Sequence, residues 1–196
     1  MFIAHISSRL NTTDYTVQDI EKNNASVVDF EFDVVQSLSI AEVLQAQASL
    51  DSLPVIGSIV VPSVNMQLPI LKGVGNVALA AGAGTMKSTQ QLGEGNYALA
   101  GHYFEGKDIL FGPLYNTKIG DTIYLTDLQS IYVYTLSSKE IIEETDVFVI
   151  DDIPNKELLT LITCAEDGKK RLSVQADFVK QFLVEEAPTT LSESFK

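Results

Sequence analysis

Several residue types are scarce in this 196-residue chain, and each scarcity removes a class of protein. A single cysteine excludes an internal disulfide, so a core of ordinary size must hold the fold together. Lys and Arg number 13 against 26 Asp and Glu, which gives a formal net charge of −13. Nucleic acid is therefore not expected as a partner, because phosphate binding needs a basic surface. Since no run of about 18 apolar residues occurs, the sequence predicts no transmembrane helix.

The N-terminal part, residues 1–50, is predicted to be a polar tail followed by a flanking helix. Asn11–Asn24 is polar and is interpreted as a loose tail or linker. A helix is predicted in SLSIAEVLQAQASLDSLP, where Ser39 is a suitable N-cap, Glu42 follows three residues later and Pro54 ends the element.

The segment 51–183 has the pattern of a β domain, and 184–196 is predicted to be a frayed polar tail. Short runs rich in β-branched and aromatic residues are separated by Gly, Pro and Asn: VIGSIVVPS, MQLPILKG, NYALAGHYF, DTIYLTD, SIYVYTLSS, LLTLITC and RLSVQADF. Seven or eight such strands favour an all-β fold with minor helices, either a sandwich or a closed barrel. VGNVALAAGAG and DILFGPLYNT are predicted to form short helical turns.

Cys164 ends the apolar run LLTLITC, and Arg171 opens the next strand after the polar loop AEDGKK. This pattern predicts a hairpin in which the two strand ends face each other, with the guanidinium favouring the thiolate. A nucleophilic cysteine also needs a base. His102 stands at another apolar strand end, whereas His5 is interpreted as an exposed tail residue. From the residues alone, a catalytic site and an inert core pair of Cys164 and His102 remain equally weighted.

The motifs TLITC and LAGHYF, with Arg171 shortly after the first, resemble the signature of the sortases, the cysteine transpeptidases of Gram-positive cell surfaces. Together with GPLYNTKIGDTIYLTD and VIDDIPNKELLTLITC, they make about residues 53–178 similar to class A sortases. The resemblance implies a closed eight-stranded sortase-type β-barrel, which agrees with the strand rhythm. The helix predicted above would precede this barrel.

The resemblance assigns roles to nine residues. Cys164 matches the nucleophile, His102 the family histidine and Arg171 the family arginine. The Thr163 hydroxyl and the Ala165 amide would stabilise the oxyanion. The positions that match an apolar substrate groove are Ala100, Ile162, Thr85 and Met86. Tyr103 departs from the family pattern, since many class A members carry a second histidine there.

The implied reaction is a two-step acyl transfer. Cys164 would cleave an LPxTG-type sorting signal between Thr and Gly through a thioester, and protonated His102 would give its proton to the leaving amine. The partners would be LPxTG-bearing surface proteins and a cell-wall precursor amine of the lipid II type. The implied location is the extracellular face of a Gram-positive cell membrane, with an N-terminal membrane anchor that this sequence lacks.

Three alternative functions are considered. One is a hydrolytic cysteine peptidase, and another is an extracellular β-barrel binding module with an inert cysteine. A pilin-polymerising sortase would use DFEFD, residues 29–33, as a lid. No cofactor or metal is expected, because the acidic stretches KEIIEETD and DDIP favour a solvated face over a calcium site.

The apolar stretch VFVI, residues 147–150, is assigned equally to a groove wall and to core packing.

Overall fold

Eight strands form a closed barrel within the described residues of a computed structural model, which are 15–28, 30, 39–104, 107–165, 168–193 and 195. The strands are β1 Val55–Val61, β2 Met66–Leu71, β3 Ala83–Thr85, β4 Asn96–Ala100, β5 Thr122–Thr126, β6 Ser130–Glu143, β7 Leu158–Ala165 and β8 Lys170–Leu183. Their order around the barrel is β1-β2-β3-β4-β7-β8-β6-β5, closed by the pairing of β1 with β5. The predicted all-β class and the eight-stranded barrel are confirmed.

Short helices and turns connect or cover these strands. The helices are α1 Val17–Asn24, α2 Ile40–Ala48, α3 Asn76–Ala81 and α4 Thr189–Glu193. The 3₁₀ turns are Leu50–Ser52, Pro62–Val64, Gly112–Asn116, Val147–Ile150 and Val184–Glu186. None of the helices that the structure describes is both long and apolar enough to cross a membrane.

The interior of the barrel is filled by aliphatic and aromatic side chains. Those on β4, β7 and β8 that are fully buried include Leu99, Leu159, Leu161 and Val174. β4 is buried at all five positions and β7 at seven of eight. Because both faces of these two strands are covered, their sequences are nearly continuous apolar runs rather than alternating ones. Strands β4 and β7 pair with each other in parallel.

α1 corrects the interpretation of Asn11–Asn24 as a loose tail, for the part of it that is described. Thr16 caps the helix and forms a capping box with Asp19, in which each side chain accepts a hydrogen bond from the other residue's backbone amide. Ile20 is buried against the barrel, and the Asn23 side-chain amide donates to the Val55 carbonyl at 2.8 Å. These contacts supply the tertiary packing that an eight-residue helix needs. The helix α2 begins with the predicted Ser39–Glu42 capping box.

The C-terminal segment also differs from its prediction as a frayed tail. Phe195 is only 4% exposed and packs in a cluster with Val60, Ile131 and Val133. The aromatic side chain of Phe195 thus holds this end of the chain against the barrel, which the polar composition of the segment did not indicate.

A buried polar network holds the loop between β6 and β7 against the start of β4. The Asn96 side-chain amide donates to the carbonyls of Val149 at 2.9 Å and Asp151 at 3.2 Å, and its oxygen accepts the Thr160 hydroxyl at 2.7 Å. Gln175 adds a bond to the Val149 carbonyl at 3.1 Å. The loop backbone is therefore fixed by side chains from β4, β7 and β8.

We predict that Asn96→Ala lowers the free energy of unfolding by about 1–3 kcal/mol, because it leaves buried carbonyls and the Thr160 hydroxyl with fewer partners. Denaturation in guanidinium chloride measures this change. Gln129→Ala is the matched control, since it removes an exposed amide that donates to Glu21, and it should change stability by less than about 0.5 kcal/mol. Equal losses in the two variants would contradict the role given to the network.

Candidate active site

The register of three neighbouring strands brings the predicted site residues together. In the parallel pair, Ala100 on β4 lies beside Ile162 on β7, and the Gly101 amide donates to the Ile162 carbonyl at 3.1 Å. His102 and Cys164 each lie two residues further along, so they leave the sheet on the same face and at the same end. Cys164 is directly opposite Arg171 in the antiparallel β7–β8 pair. This pairing confirms the predicted hairpin.

A groove of about 610 Å³ opens at this end of the barrel. Its floor and walls combine the three polar site residues with apolar side chains and an acidic rim. The lining residues are Leu79, Met86, Ala100, Gly101, His102, Ile142, Glu143, Glu144, Thr145, Asp146, Val147, Val149, Ile150, Ile162, Thr163, Cys164 and Arg171. The shape and lining are those of a pocket that takes an apolar chain past a small number of reactive groups.

Cys164 is a free thiol and is only partly buried, at the one position of β7 that is not closed off from solvent. A cysteine that served only for packing would be enclosed like its neighbours Ile162 and Ala165. The exposure of Cys164 into the groove favours a reactive thiol.

His102 is 8% exposed, and burial lowers the pKa of its imidazole below the usual range. Among the described residues, its Nε2 atom has no hydrogen-bond partner. Gly101 precedes it in tight packing, since a Cβ at that position would lie 2.6 Å from the ring of Phe111. The His102 carbonyl accepts a bond from the Phe111 amide at 3.0 Å. The backbone of this residue is thus held firmly while one ring nitrogen remains available.

The Arg171 guanidinium is held at the mouth of the groove by three acceptors. It donates to the carbonyls of Gly168 at 2.7 Å and Lys170 at 3.0 Å, and it forms an ion pair of 3.4 Å with Glu144. The Glu144 side chain is largely exposed, so this pair contributes little to stability. A ligand that carries negative charge can compete for the guanidinium.

The two predicted oxyanion donors, Thr163 and Ala165, both lie near the end of β7. The Thr163 hydroxyl is buried and donates to the Gly101 carbonyl at 2.7 Å, so it ties β7 to the residue before His102. Ala165 is buried at the end of β7, opposite Lys170. In this conformation the Thr163 proton is therefore already engaged.

Three of the four predicted groove residues, Ala100, Ile162 and Met86, line the groove. Thr85 does not, which corrects that prediction. It is buried, and its hydroxyl accepts the Gly73 amide at 2.8 Å. Thr85 is the last residue of β3, and Met86, in the bend that follows, is the one that reaches the groove.

The stretch VFVI proves to be a groove wall rather than core. Val147, Val149 and Ile150 line the groove, and Val147 and Phe148 are 70% and 66% exposed. Sequence reasoning missed Leu79 on α3, whose apolar run gave no indication that the helix borders the site. It also missed Tyr115, whose hydroxyl donates to the Cys164 carbonyl at 2.9 Å.

The acidic residues near the groove are engaged with cations and backbone. Glu143 pairs with Lys170 at 3.5 Å, and Asp152 pairs with Lys87 at 2.7 Å while accepting the Asn96 amide. These two bonds lower the pKa of the Asp152 carboxyl. In the part of the chain that the structure describes, no three His, Cys, Asp or Glu side chains are grouped as ligands for a metal ion. Of DFEFD, residues 29–33, which the alternative of a pilin-polymerising sortase would use as a lid, only Phe30 lies within the described residues.

Comparison with known proteins gives a consistent result. The family description "Sortase domain" matches residues 59–179. Sortase A of Streptococcus agalactiae serotype III is 42% identical over 185 residues, which are 91% of this chain and 75% of that protein. Sortase A of Listeria monocytogenes serovar 1/2a is 43% identical over 162 residues, 83% of this chain and 72% of that protein.

Solved structures agree with the sequence relatives. The crystal structure of Listeria monocytogenes sortase A superposes with a TM-score of 0.67 at 42% identity and covers 72% of this chain and 97% of that one. Sortase C-3 of Streptococcus pneumoniae, at 23% identity, has the same fold with a TM-score of 0.68 over 97% of this chain and 95% of that one. The barrel, the groove and these relatives together show that the chain belongs to the sortase family, the cysteine transpeptidases that act on sorting signals.

Proposed function

We propose that this sortase is of class A type and cleaves an LPxTG-type signal between Thr and Gly, then transfers the acyl group to a cell-wall precursor amine. The observation that carries the proposal is that Cys164, His102 and Arg171 line one groove with an apolar wall. A non-enzymatic binding module would give no reason for a partly exposed thiol beside a buried imidazole and a guanidinium.

The apolar part of the groove suits the leucine and proline of the sorting signal. Leu79, Met86, Ala100, Val149, Ile150 and Ile162 surround the space next to Cys164. Burying one such substrate side chain stabilises the complex by about 1.5–3 kcal/mol. This is enough for the groove beside the thiol to select a substrate with two adjacent apolar side chains. An extended peptide in this groove would present its Thr carbonyl to the sulfur.

His102 is proposed to move one proton in each of the two steps. The lowered pKa favours the neutral imidazole in the free enzyme. Its free nitrogen accepts the thiol proton as the Cys164 sulfur attacks the Thr carbonyl, and then delivers that proton to the leaving amine of glycine. In the second step the neutral ring accepts a proton from the incoming amine as the amine nitrogen bonds to the thioester carbonyl carbon. The C–S bond then breaks, and His102 gives this proton to the Cys164 sulfur, which restores the thiol and the neutral imidazole.

Arg171 is proposed to stabilise the oxyanion. A guanidinium stays charged at any relevant pH, so it acts as a charged donor and never as a base. Its ion pair with Glu144 must open or shift when negative charge develops on the substrate oxygen. The amide of Ala165 remains a proposed second donor, and Thr163 would contribute only if its hydroxyl left the Gly101 carbonyl.

No metal ion is required in the proposed cycle. The Lys87–Asp152 ion pair, together with the bond from the Asn96 amide to Asp152, joins the loop after β3 to the loop before β7. The Lys87 ammonium thus already neutralises the Asp152 carboxylate that it contacts.

The substrates would be LPxTG-bearing surface proteins and a precursor amine of the lipid II type. The proposed location is the outer face of a Gram-positive membrane, in keeping with the relatives from Streptococcus and Listeria.

Cleavage of a quenched LPxTG peptide, with and without triglycine as acceptor, tests the function. We expect the wild type to release the fluorophore and to form the ligated peptide with triglycine, and Cys164→Ala to do neither. Arg171→Ala should lower kcat by about 100- to 1,000-fold, the usual effect of losing one oxyanion donor.

Lys180→Ala is the control for loss of a cation on the same strand. Lys180 lies over the Phe182 ring at the other end of β8, so its removal should leave kcat unchanged. Release without a ligated product at saturating triglycine would favour the hydrolytic peptidase. Cleavage by Cys164→Ala would refute the thioester.

The proton role of His102 predicts a titration below the usual value. We expect the His102 Hε1 resonance, identified by its loss in His102→Gln, to titrate below pH 6.5 in proton NMR. The folded state binds this proton less tightly than the unfolded state does. The neutral ring therefore contributes to stability above about pH 6.5, and this contribution is lost as the pH falls from there toward the folded pKa. His102→Gln should therefore lessen acid destabilisation. A His102 pKa above 6.5 would contradict this proton cycle.

A further inference from the structure

Two tyrosines form a second connection between the His102 and Cys164 strand ends. Tyr103 follows His102 directly, and its ring lies against that of Tyr115 with a centroid separation of 4.6 Å and an interplanar angle of 36°. The Tyr115 hydroxyl donates to the Cys164 carbonyl at 2.9 Å. His102 and Cys164 are therefore connected through these two rings, independently of the hydrogen bonds of the sheet.

The turn that carries Tyr115, Gly112–Asn116, is itself fixed on several sides. The Lys139 ammonium donates to the carbonyls of Tyr115 at 2.7 Å and Thr117 at 3.0 Å. Leu114, one residue before Tyr115, is fully buried in the core. A phenol held in this way has little freedom, so its hydrogen bond constrains the partner more than a mobile side chain would.

The carbonyl that Tyr115 binds belongs to the peptide unit between Cys164 and Ala165. A trans peptide is planar and its N–H points away from its C=O. Fixing the carbonyl therefore fixes the direction of the Ala165 amide, the proposed oxyanion donor. It also fixes the backbone from which the Cys164 side chain leaves β7, just where the strand ends at Ala165.

We propose that Tyr115 is a positioning residue for acyl transfer, and that the Tyr103 ring holds it in place. Tyr115 acts through the Cys164 peptide and does not touch the substrate. The expected loss of kcat rests on the proposed function, whereas the expected effect on the Cys164–Ala165 peptide rests on the geometry alone.

The kinetic test is Tyr115→Phe, which retains the ring and removes the hydroxyl. We expect kcat for LPxTG peptide cleavage to fall about three- to tenfold, the range that corresponds to one neutral hydrogen bond, while KM changes less than about twofold. Tyr103→Phe retains the ring contact and should preserve kcat, whereas Tyr103→Ala should reduce it. The effects of Tyr103→Ala and Tyr115→Phe should be less than additive in the double variant, because both act on one contact.

The control is Tyr132→Phe, which removes a hydroxyl that donates to Asp127 at 3.1 Å. Tyr132 pairs with Gln181, about 30 Å along β8 from Arg171. The kcat of Tyr132→Phe should equal that of the wild type. Unchanged kcat in Tyr115→Phe, or an equal decrease in Tyr132→Phe, would overturn the proposal.

A substrate-independent readout separates this proposal from the proposed function. In Tyr115→Phe, amide hydrogen exchange of Ala165 should speed up by at least about threefold relative to that of Leu161 within the same strand. If the wild type fails to cleave the peptide but this exchange changes, the proposed function fails and the positioning contact stands. If the exchange of Ala165 is unaltered, the positioning proposal is wrong whatever the peptide assay shows.

Discussion

The parallel pairing of β4 with β7 is the constraint on which the site depends. These strands are far apart in the sequence, yet Ala100 lies beside Ile162, and the next residues continue that register to Gly101. A shift by one residue would turn either His102 or Cys164 to the opposite face of the sheet. The antiparallel pairing of β7 with β8 then adds Arg171 opposite Cys164. Three functional groups from separate segments are thus brought to one groove by backbone register alone.

Polar contacts at both ends of this strand pair fix its register. At one end, Asn96 binds the Thr160 hydroxyl and the carbonyls of the loop that forms a groove wall. At the other, the Thr163 hydroxyl binds the Gly101 carbonyl. Buried polar groups are costly unless they are paired, so these contacts favour one register over its neighbours more strongly than aliphatic packing does. The apolar residues between them supply burial but little directional preference.

Much of the fold could be predicted from local patterns. The strand rhythm, the Ser39–Glu42 capping box and the Cys164–Arg171 hairpin all depend on residues close in sequence, and the family resemblance supplied the barrel. The Thr16–Asp19 box was visible in the sequence as well, but the polar composition around it concealed α1. The burial of Phe195 depends on side chains of β1 and β6, which no local pattern indicates.

The site was predicted less completely, for a physical reason. Residue types and strand ends identified Cys164, His102 and Arg171 as candidates, but the hydrogen bonds of individual side chains are tertiary. The Thr163 hydroxyl finds its acceptor 62 positions away and Tyr115 finds its own 49 positions away. Neither choice of partner can be predicted from periodicity, and both alter which groups remain available for chemistry.

The central claim is that the imidazole of His102 and the thiol of Cys164 share one reaction centre. The pH dependence of the alkylation rate of Cys164 by iodoacetamide, in the wild type and in His102→Gln, tests it most directly. If the claim holds, the wild-type rate shows an inflection from His102 between about pH 5 and pH 9 that is absent from the profile of His102→Gln. Superimposable profiles for the two proteins would contradict it.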